Sequence, residues 1–314
     1  MICAKSPASM ANLGPGFDVV AVALDGPFDV VCLDLREEPG LDVEVMGPHA
    51  SLVPPQASEN VIHPVLTGAA RIAGYEGGFT ASIWKGIRPA SGLGSSGADA
   101  AASAYLAARL LGLGLSDWEL ARLAALGEVK AAGSPHLDNV SASLFGGLVL
   151  INEELKRIDK MDLWRFPIVV VTVGSKPSTS YMRELLPDKV DIRSAVENLA
   201  GLASLIHAAH VRDVVLLGRA VGIDHLVTPH RIKAYPHFAG ARDVLLRHGA
   251  IGVGLSGAGP SIFGIFKEEP CLECIRDEIE GANVFLTHPS NSGTSLIDKS
   301  IIDDSLHTRG EAQR

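Results

Sequence analysis

Basic residues are in the minority: 27 lysines and arginines stand against 36 aspartates and glutamates in 314 residues, a net charge of −9. That balance argues against nucleic acid or an anionic membrane as a main partner, and an anionic ligand would need locally placed cations. Long apolar runs are missing as well. The longest, near residues 140–151, is too short and too interrupted to span a bilayer. The opening MICAKSPAS has no signal-peptide core, so the expectation is a cytoplasmic protein. Four cysteines (Cys3, Cys32, Cys271, Cys274) are too few for a disulfide scaffold at this length and read as idle or buried thiols. Cys271 and Cys274 form one C-x-x-C, but two further zinc ligands at suitable spacing are not evident. There is no Walker A ending and no internal repeat.

What is there is a globular composition, 47% hydrophobic and 20% charged, with length enough for two modest domains. One stretch organises the rest. RPASGLGSSGADAAASA (88–104) passes from proline through glycines and serines into an alanine run. Alanine favours helix, so a loop ends where a helix begins. Ser95 and Ser96 stand where N-cap hydroxyls belong. The first N–H groups of such a helix lack internal partners and its dipole is positive there. Gly92 and Gly94 have no Cβ to keep an anion off the backbone. Together these predict a phosphate cradle. The competing interpretation is a capped turn with no ligand. Gly92, Gly94 and Gly97 also satisfy the dinucleotide spacing, but the strand expected over 79–85 does not abut them. Gly252, Gly254 and Gly257 fit the same pattern, so its specificity is low.

Along the chain, residues 1–6 read as a strand stopped by Pro7. Residues 7–18 read as a polar turn carrying Asn12 and Asp18. Further strands are expected at 19–23, 30–35, 41–45 and 79–85, with a helix at 60–74. Ser116-Asp-Trp-Glu119 is a capping box that starts a helix to about residue 132. Glu128 near its end opposes the dipole, a mild hint of metal coordination against the plainer reading of a solvated side chain. His136, Asp138 and Asn139 crowd the following loop, and 140–151 is an apolar run. Residues 153–165 are charged and irregular, a plausible join. Beyond it come strands at 167–173, 250–255, 261–266 and 282–287, helices at 193–211, 213–222, 238–248 and 269–281, and a loose tail from 290. The expected division is 1–155, 156–289 and a tail 290–314, an α+β arrangement.

Three stretches, PASMANLGPGFD (7–18), PASGLGSSGADAAASA (89–104) and GVGLSGAGPSIFGI (252–265), resemble in order and spacing the three motifs of the GHMP small-molecule kinases. The resemblance covers nearly the whole chain before the tail. It implies an N-terminal domain like ribosomal protein S5 domain 2, a ferredoxin-like C-terminal domain and an active site in the cleft between them. The form Asn-Leu-Gly-Pro-Gly-Phe-Asp, the His-x-Asp-Asn at 136–139, Arg183 and Arg231 look like the branch that phosphorylates L-homoserine. By that resemblance ATP lies on Pro89, Ala90, Ser91, Gly92, Leu93, Gly94, Ser95, Ser96 and Gly97, with Asn60 reaching adenine or ribose. Mg²⁺ falls to Ser96 and Glu128, whose oxygens suit it. A zwitterionic amino acid needs a cation, an anion and polar groups at its hydroxyl. Arg183 and Arg231 suit the carboxylate, Asp18 the ammonium, Asn12 and Asn139 the hydroxyl, and His136 completes the pocket.

Asn139, Asn12 and Glu128 would then serve the transfer step, which depends mainly on positioning and charge. Asp138 is a possible base by analogy with mevalonate-type members. Gly97 and Asp99 depart from the usual Gly-Leu-Gly-Ser-Ser-Ala-Ala, and Asp99 adds a negative charge near a nucleotide. A homodimer follows from family habit. The competing functions are a mevalonate-, shikimate- or sugar-directed member, a non-catalytic nucleotide-binding regulator and, remotely, a dinucleotide oxidoreductase.

Overall fold

The computed structural model describes residues 1–54, 56–132, 136–174, 177 and 179–298. Residues 133–135, 178 and 299–314, on which parts of the expected loop and tail fall, lie outside the described residues.

The N-terminal half is a mixed sheet covered by helices. β1 (Ile2–Asn12) pairs antiparallel with β2 (Gly16–Arg36), and β3 (Gly40–Met46) runs through α1 (Ile62–Ala73) into the parallel neighbour β4 (Gly78–Trp84). α2 (Ser95–Leu110), α3 (Asp117–Ala132) and α4 (Asp138–Phe145) follow, then β5 (Leu148–Asn152) and β6 (Arg157–Met161). α2 packs between sheet and neighbouring helices, and its alanines 98, 100, 101, 102, 104 and 107 are buried. Small side chains on every face let it sit in the middle of a layer. The Ser116–Glu119 capping box forms as expected, with Ser116 N–H donating to Glu119 Oε2 at 2.9 Å.

The C-terminal half begins at β7 (Ile168–Thr172) and continues through α5 (Thr179–Glu184), α6 (Ile192–Val211), α7 (Val214–Val221), α8 (Thr228–Arg231) and α9 (Phe238–Arg247). β8 (Gly252–Leu255), β9 (Ser261–Ile265), α10 (Leu272–Glu278) and β10 (Asn283–Thr287) complete it. The antiparallel order β10-β7-β9-β8 is that of a β-α-β-β-α-β ferredoxin-like unit. The chain then returns to the first sheet as β11 (Ser295–Ile297), paired with β1.

Several expectations need correction. Pro7 does not end β1; it sits at a register shift where a missing N–H is tolerated. Nor are 19–23 and 30–35 separate strands: β2 runs through Asp25-Gly26-Pro27, with an irregularity there. The apolar run 140–151 breaks at Gly146 and Gly147, both at positive φ, into a helix and a strand. The charged join contains β6, paired with β5. Residues 290–297 are not loose. Thr294 is buried, hydrogen-bonded to Ser6 Oγ at 3.0 Å and donating to Ser143 O at 2.9 Å. The cysteines are not idle thiols either: Cys3 is bonded to Cys32 across β1 and β2, and Cys271 to Cys274.

Candidate active site between the two sheets

A cavity of about 310 Å³ opens where the two halves meet. One wall is the tip of α2. Ala98 donates the first helical hydrogen bond, to Gly94 O at 2.8 Å, so the N–H groups of Ser95, Ser96 and Gly97 precede the internal ladder. All three residues line the cavity. The positive end of a sixteen-residue helix therefore faces this space. The N-cap is Gly94, at φ +67°, and neither serine caps the helix; Ser95 Oγ instead donates to Ile87 O at 3.1 Å. The glycines also have a different reason from the one expected. A Cβ on Gly94 would meet Ser9 Oγ at 2.2 Å, and one on Gly92 would meet Gly259 O at 2.6 Å. Protein already fills that room, so the glycines permit close packing of the loop and its positive φ values rather than the approach of an anion.

The opposite wall carries charge. Arg183, on α5, donates to Asp18 Oδ2 at 2.5 Å and to His136 Nδ1 at 3.0 Å. Because Nδ1 accepts, the imidazole proton belongs on Nε2. Arg231, at the end of α8, is 3% exposed, donates to Gly257 O at 2.9 Å, and leaves its Nε buried without a protein partner. Burial pulls its acidity towards the neutral form, while Asp18 and Asp138 favour the charge. Phe17 lies under both guanidinium groups, 5.6 Å from Arg183 and 5.0 Å from Arg231, a cation–π contact to each.

Asn12, Asp18 and their turn occupy left-handed backbone, at φ 75° and 58°. Short polar side chains tolerate that region best, and strain of this sort gathers at sites. Asn12 is engaged at both ends, accepting Asp18 N–H at 3.2 Å and donating to Gly257 O at 3.1 Å. Asn139 turns its Oδ1 to Ser9 Oγ at 3.0 Å. Asp138 is buried at the start of α4. Burial first, and then the Asp18 carboxylate, raise it to about 6, against the Asn139 N–H and the two arginines.

Thus Asn12, Asp18, Ala90, Ser91, Gly92, Gly94, Ser95, Ser96, Gly97, Glu128, His136, Asn139, Arg183 and Arg231 line one cavity, together with Asp138. Pro89, Leu93 and Asn60 are outside its lining. Leu93 is core, and Asn60 is buried just before α1, where its Oδ1 accepts Ile62 N–H at 3.2 Å. Phe17, Ser9, Tyr235 and Ser256 were not foreseen. Tyr235 Oη donates to Ala258 O at 2.6 Å and Ser256 Oγ to Gly92 O at 2.6 Å. Ser9, Phe17 and Ser256 lie inside the motif stretches, but their partners are far away in sequence, so the pattern marks their segments without giving their contacts.

Two family models match the chain. The GHMP kinases N terminal domain matches residues 60–147 and the GHMP kinases C terminal model matches 203–280. The chain belongs to the GHMP kinase family. Curated relatives include homoserine kinases from Pyrococcus furiosus, 39% identical over 83% of this chain and 86% of the relative, and from Methanococcus vannielii, 33% identical over 91% and 94%. Among solved structures, homoserine kinase from Cytophaga hutchinsonii superposes with a TM-score of 0.85 at 28% identity, covering 94% of this chain and 97% of that one. The structure of L. major mevalonate kinase in complex with R-mevalonate shares the fold at a TM-score of 0.72 and 17% identity, over 92% of this chain and 96% of that one. The α2 tip and the turn at Gly257, which lie in the second and third of the stretches that resemble the family's motifs, are in direct contact through Ser256 and Gly92.

Proposed function

We propose that the chain is a homoserine kinase, which transfers the γ-phosphoryl group of ATP to the side-chain hydroxyl of L-homoserine. O-phospho-L-homoserine, a precursor of threonine, is the product. The observation that carries this reading is the Asp18–Arg183 pair, with Arg231, placed in the same cavity as the tip of α2. A zwitterion can exchange partners with that pair: its carboxylate takes Arg183 and the free side of Arg231, and its ammonium takes Asp18. A neutral sugar offers no such exchange. ATP phosphates fit the unladdered N–H groups of Ser95, Ser96 and Gly97. Asn12 holds Asp18 and Gly257 in place, Asn139 orients the hydroxyl, and His136 keeps Arg183 aimed.

Ser96 and Glu128 supply a hydroxyl and a carboxylate to one cavity, the hard oxygen donors that Mg²⁺ prefers, with room left for water and phosphate. Among the described residues no three His, Cys, Asp or Glu side chains group to hold a metal alone, so the cation would come in with the nucleotide. When bound it offsets charge on the transferring phosphoryl group.

Asp138 supports a second reading of one step. It is buried in the cavity and held at about 6, near the range a proton acceptor needs. In our preferred reading no strong base is required, because positioning and charge do most of the work. We read the protein as a cytoplasmic homodimer; among the described residues no helix is long and apolar enough to cross a membrane. Light scattering after gel filtration tests the dimer.

An ADP-release assay over L-homoserine, mevalonate, shikimate and galactose, with and without Mg²⁺, tests the function. Turnover confined to L-homoserine with Mg²⁺ is expected. Turnover of another alcohol would move the chain to a different branch, and nucleotide binding without turnover would make it a regulator.

A further inference from the structure

Behind the tip of α2 lies a chain of three buried ionisable groups that none of the site roles above uses. Lys85 is 1% exposed. Its Nζ donates to Asp29 Oδ2 at 2.5 Å, to Asp99 Oδ2 at 2.7 Å and to the backbone carbonyl of Ser95 at 3.3 Å. Asp29, on β2, uses its other oxygen to accept the N–H groups of Gly86 and Ile87, both at 2.8 Å. Ser95 Oγ in turn donates to Ile87 O. The chain of contacts therefore runs from β2, through the start of the loop after β4, to the first turn of α2. Lys85 touches both carboxylates and the helix backbone.

Burying three ionisable groups for stability alone is poorly rewarded, since apolar replacements of equal volume often do as well. What such a cluster supplies is fixed geometry. The helix tip it holds must keep several N–H groups on one target, and small displacements at such sites are expensive. We propose that Asp99 and Lys85 are positioning residues for ATP: with Asp29 they brace the first turn of α2 so that the N–H groups of Ser95, Ser96 and Gly97 stay aimed into the cleft. This rests on the reading of that tip as the ATP site. It also disposes of the concern that Asp99 brings a repelling charge to the nucleotide. Its carboxyl points at Lys85, behind the helix, and Asp99 is 3% exposed. Burial first, with Asp29 adding and Lys85 opposing, raises Asp99 to about 8, so it is mostly uncharged near neutral pH.

The departure from the family pattern at this position is the signal that was available in the sequence. A carboxylate inside an alanine run that packs on all sides requires a buried partner, and Lys85 is that partner.

Lys85→Met would leave two buried carboxylates facing each other and is expected to fold poorly, so Asp99 carries the test. ATP affinity is measured by calorimetry, alongside KM for ATP and for L-homoserine, in the wild type, Asp99→Ala and Asp99→Asn. Asp99→Ala is expected to weaken ATP binding about ten-fold, with the homoserine KM unchanged. Asp99→Asn, whose amide oxygen still accepts from Lys85, should stay close to the wild type. Should Asp99→Ala fail to fold, Asp99→Ser replaces it with the same expectation. Unchanged ATP binding in a folded Asp99→Ala would overturn the brace alone. Tighter ATP binding in both variants would also overturn it, since Asp99 would then act by charge. A wild-type protein that binds no ATP would overturn the nucleotide assignment itself.

Discussion

Two arginines of the cavity differ in what holds them. Arg183 is about a third exposed and paired with Asp18, whereas Arg231 is buried and anchored on Gly257 O with its Nε unpaired. Lysine can replace the charge of either but not the planar fork or the stacking on Phe17. Arg231→Lys is expected to raise the homoserine KM by roughly 30-fold or more, the usual scale for losing one member of a buried charge contact, with the ATP KM little changed. Arg183→Ala should do the same and also free Asp18; steady-state kinetics with each substrate varied in turn checks both. Among the acidic groups, Glu128→Gln should lose more kcat than Asp138→Asn. The opposite order would make Asp138 the base. Asp138 also sets a pH dependence. Its folded value, about 6, lies above the ordinary 3.8, so the folded state holds its proton more tightly. The stability this gives is whole below about pH 4 and lost as pH rises through 6. Urea midpoints at pH 5 and 7 should fall more in the wild type than in Asp138→Asn.

At the scale of elements, α2 is where composition and site meet. Its alanines allow it to sit among the sheet, α1, α3 and α4, and that burial fixes the direction of its dipole. The loop before it works only without side chains at its turns. Gly94→Ala places a methyl 2.2 Å from Ser9 Oγ and 3.0 Å from Asn139 Oδ1, at a φ that alanine resists. The Ser9–Asn139 bond must give way, so kcat and ATP binding should both fall while far-UV circular dichroism is retained. Thr294, just ahead of β11, is the other position with a clear load. Thr294→Val keeps the shape but strips a hydroxyl from Ser6 and from the Ser143 carbonyl, both buried. A loss of about 1–3 kcal/mol is expected, read as a lower urea midpoint with unchanged KM for both substrates.

For the whole molecule, the two sheets are joined at the site itself. Ser261 N–H donates to Ser91 O at 3.1 Å, Gly257 N–H to Ala11 O at 3.1 Å, and Ser256 Oγ to Gly92 O. A mixed apolar core, including Met10, Val22, Phe166 and Phe263, lies between the halves. The chain's return through β11 adds a third tie. Heat or urea should therefore unfold both halves in one transition, with tryptophan fluorescence and circular dichroism coinciding. Ser256→Ala should weaken both substrates together, because the loop it holds borders both. The motifs around Asn12, Gly92 and Gly257, the alanine helix and the capping box were legible in the sequence because each is a local pattern whose chemistry is carried by neighbours. So was the membership of Asp18, Arg183 and Arg231 in one cavity, through the resemblance that singled them out. Not legible were the bracing of α2 by Asp29 and Lys85, the contact of Phe17 with two guanidinium groups, the position of Asn60 outside the cavity lining and the strand made by residues 295–297. Each of these depends on segments far apart in the chain being brought together, and burial, which decides whether a charge is a solvated ornament or a fixed strut, exists only once they have packed.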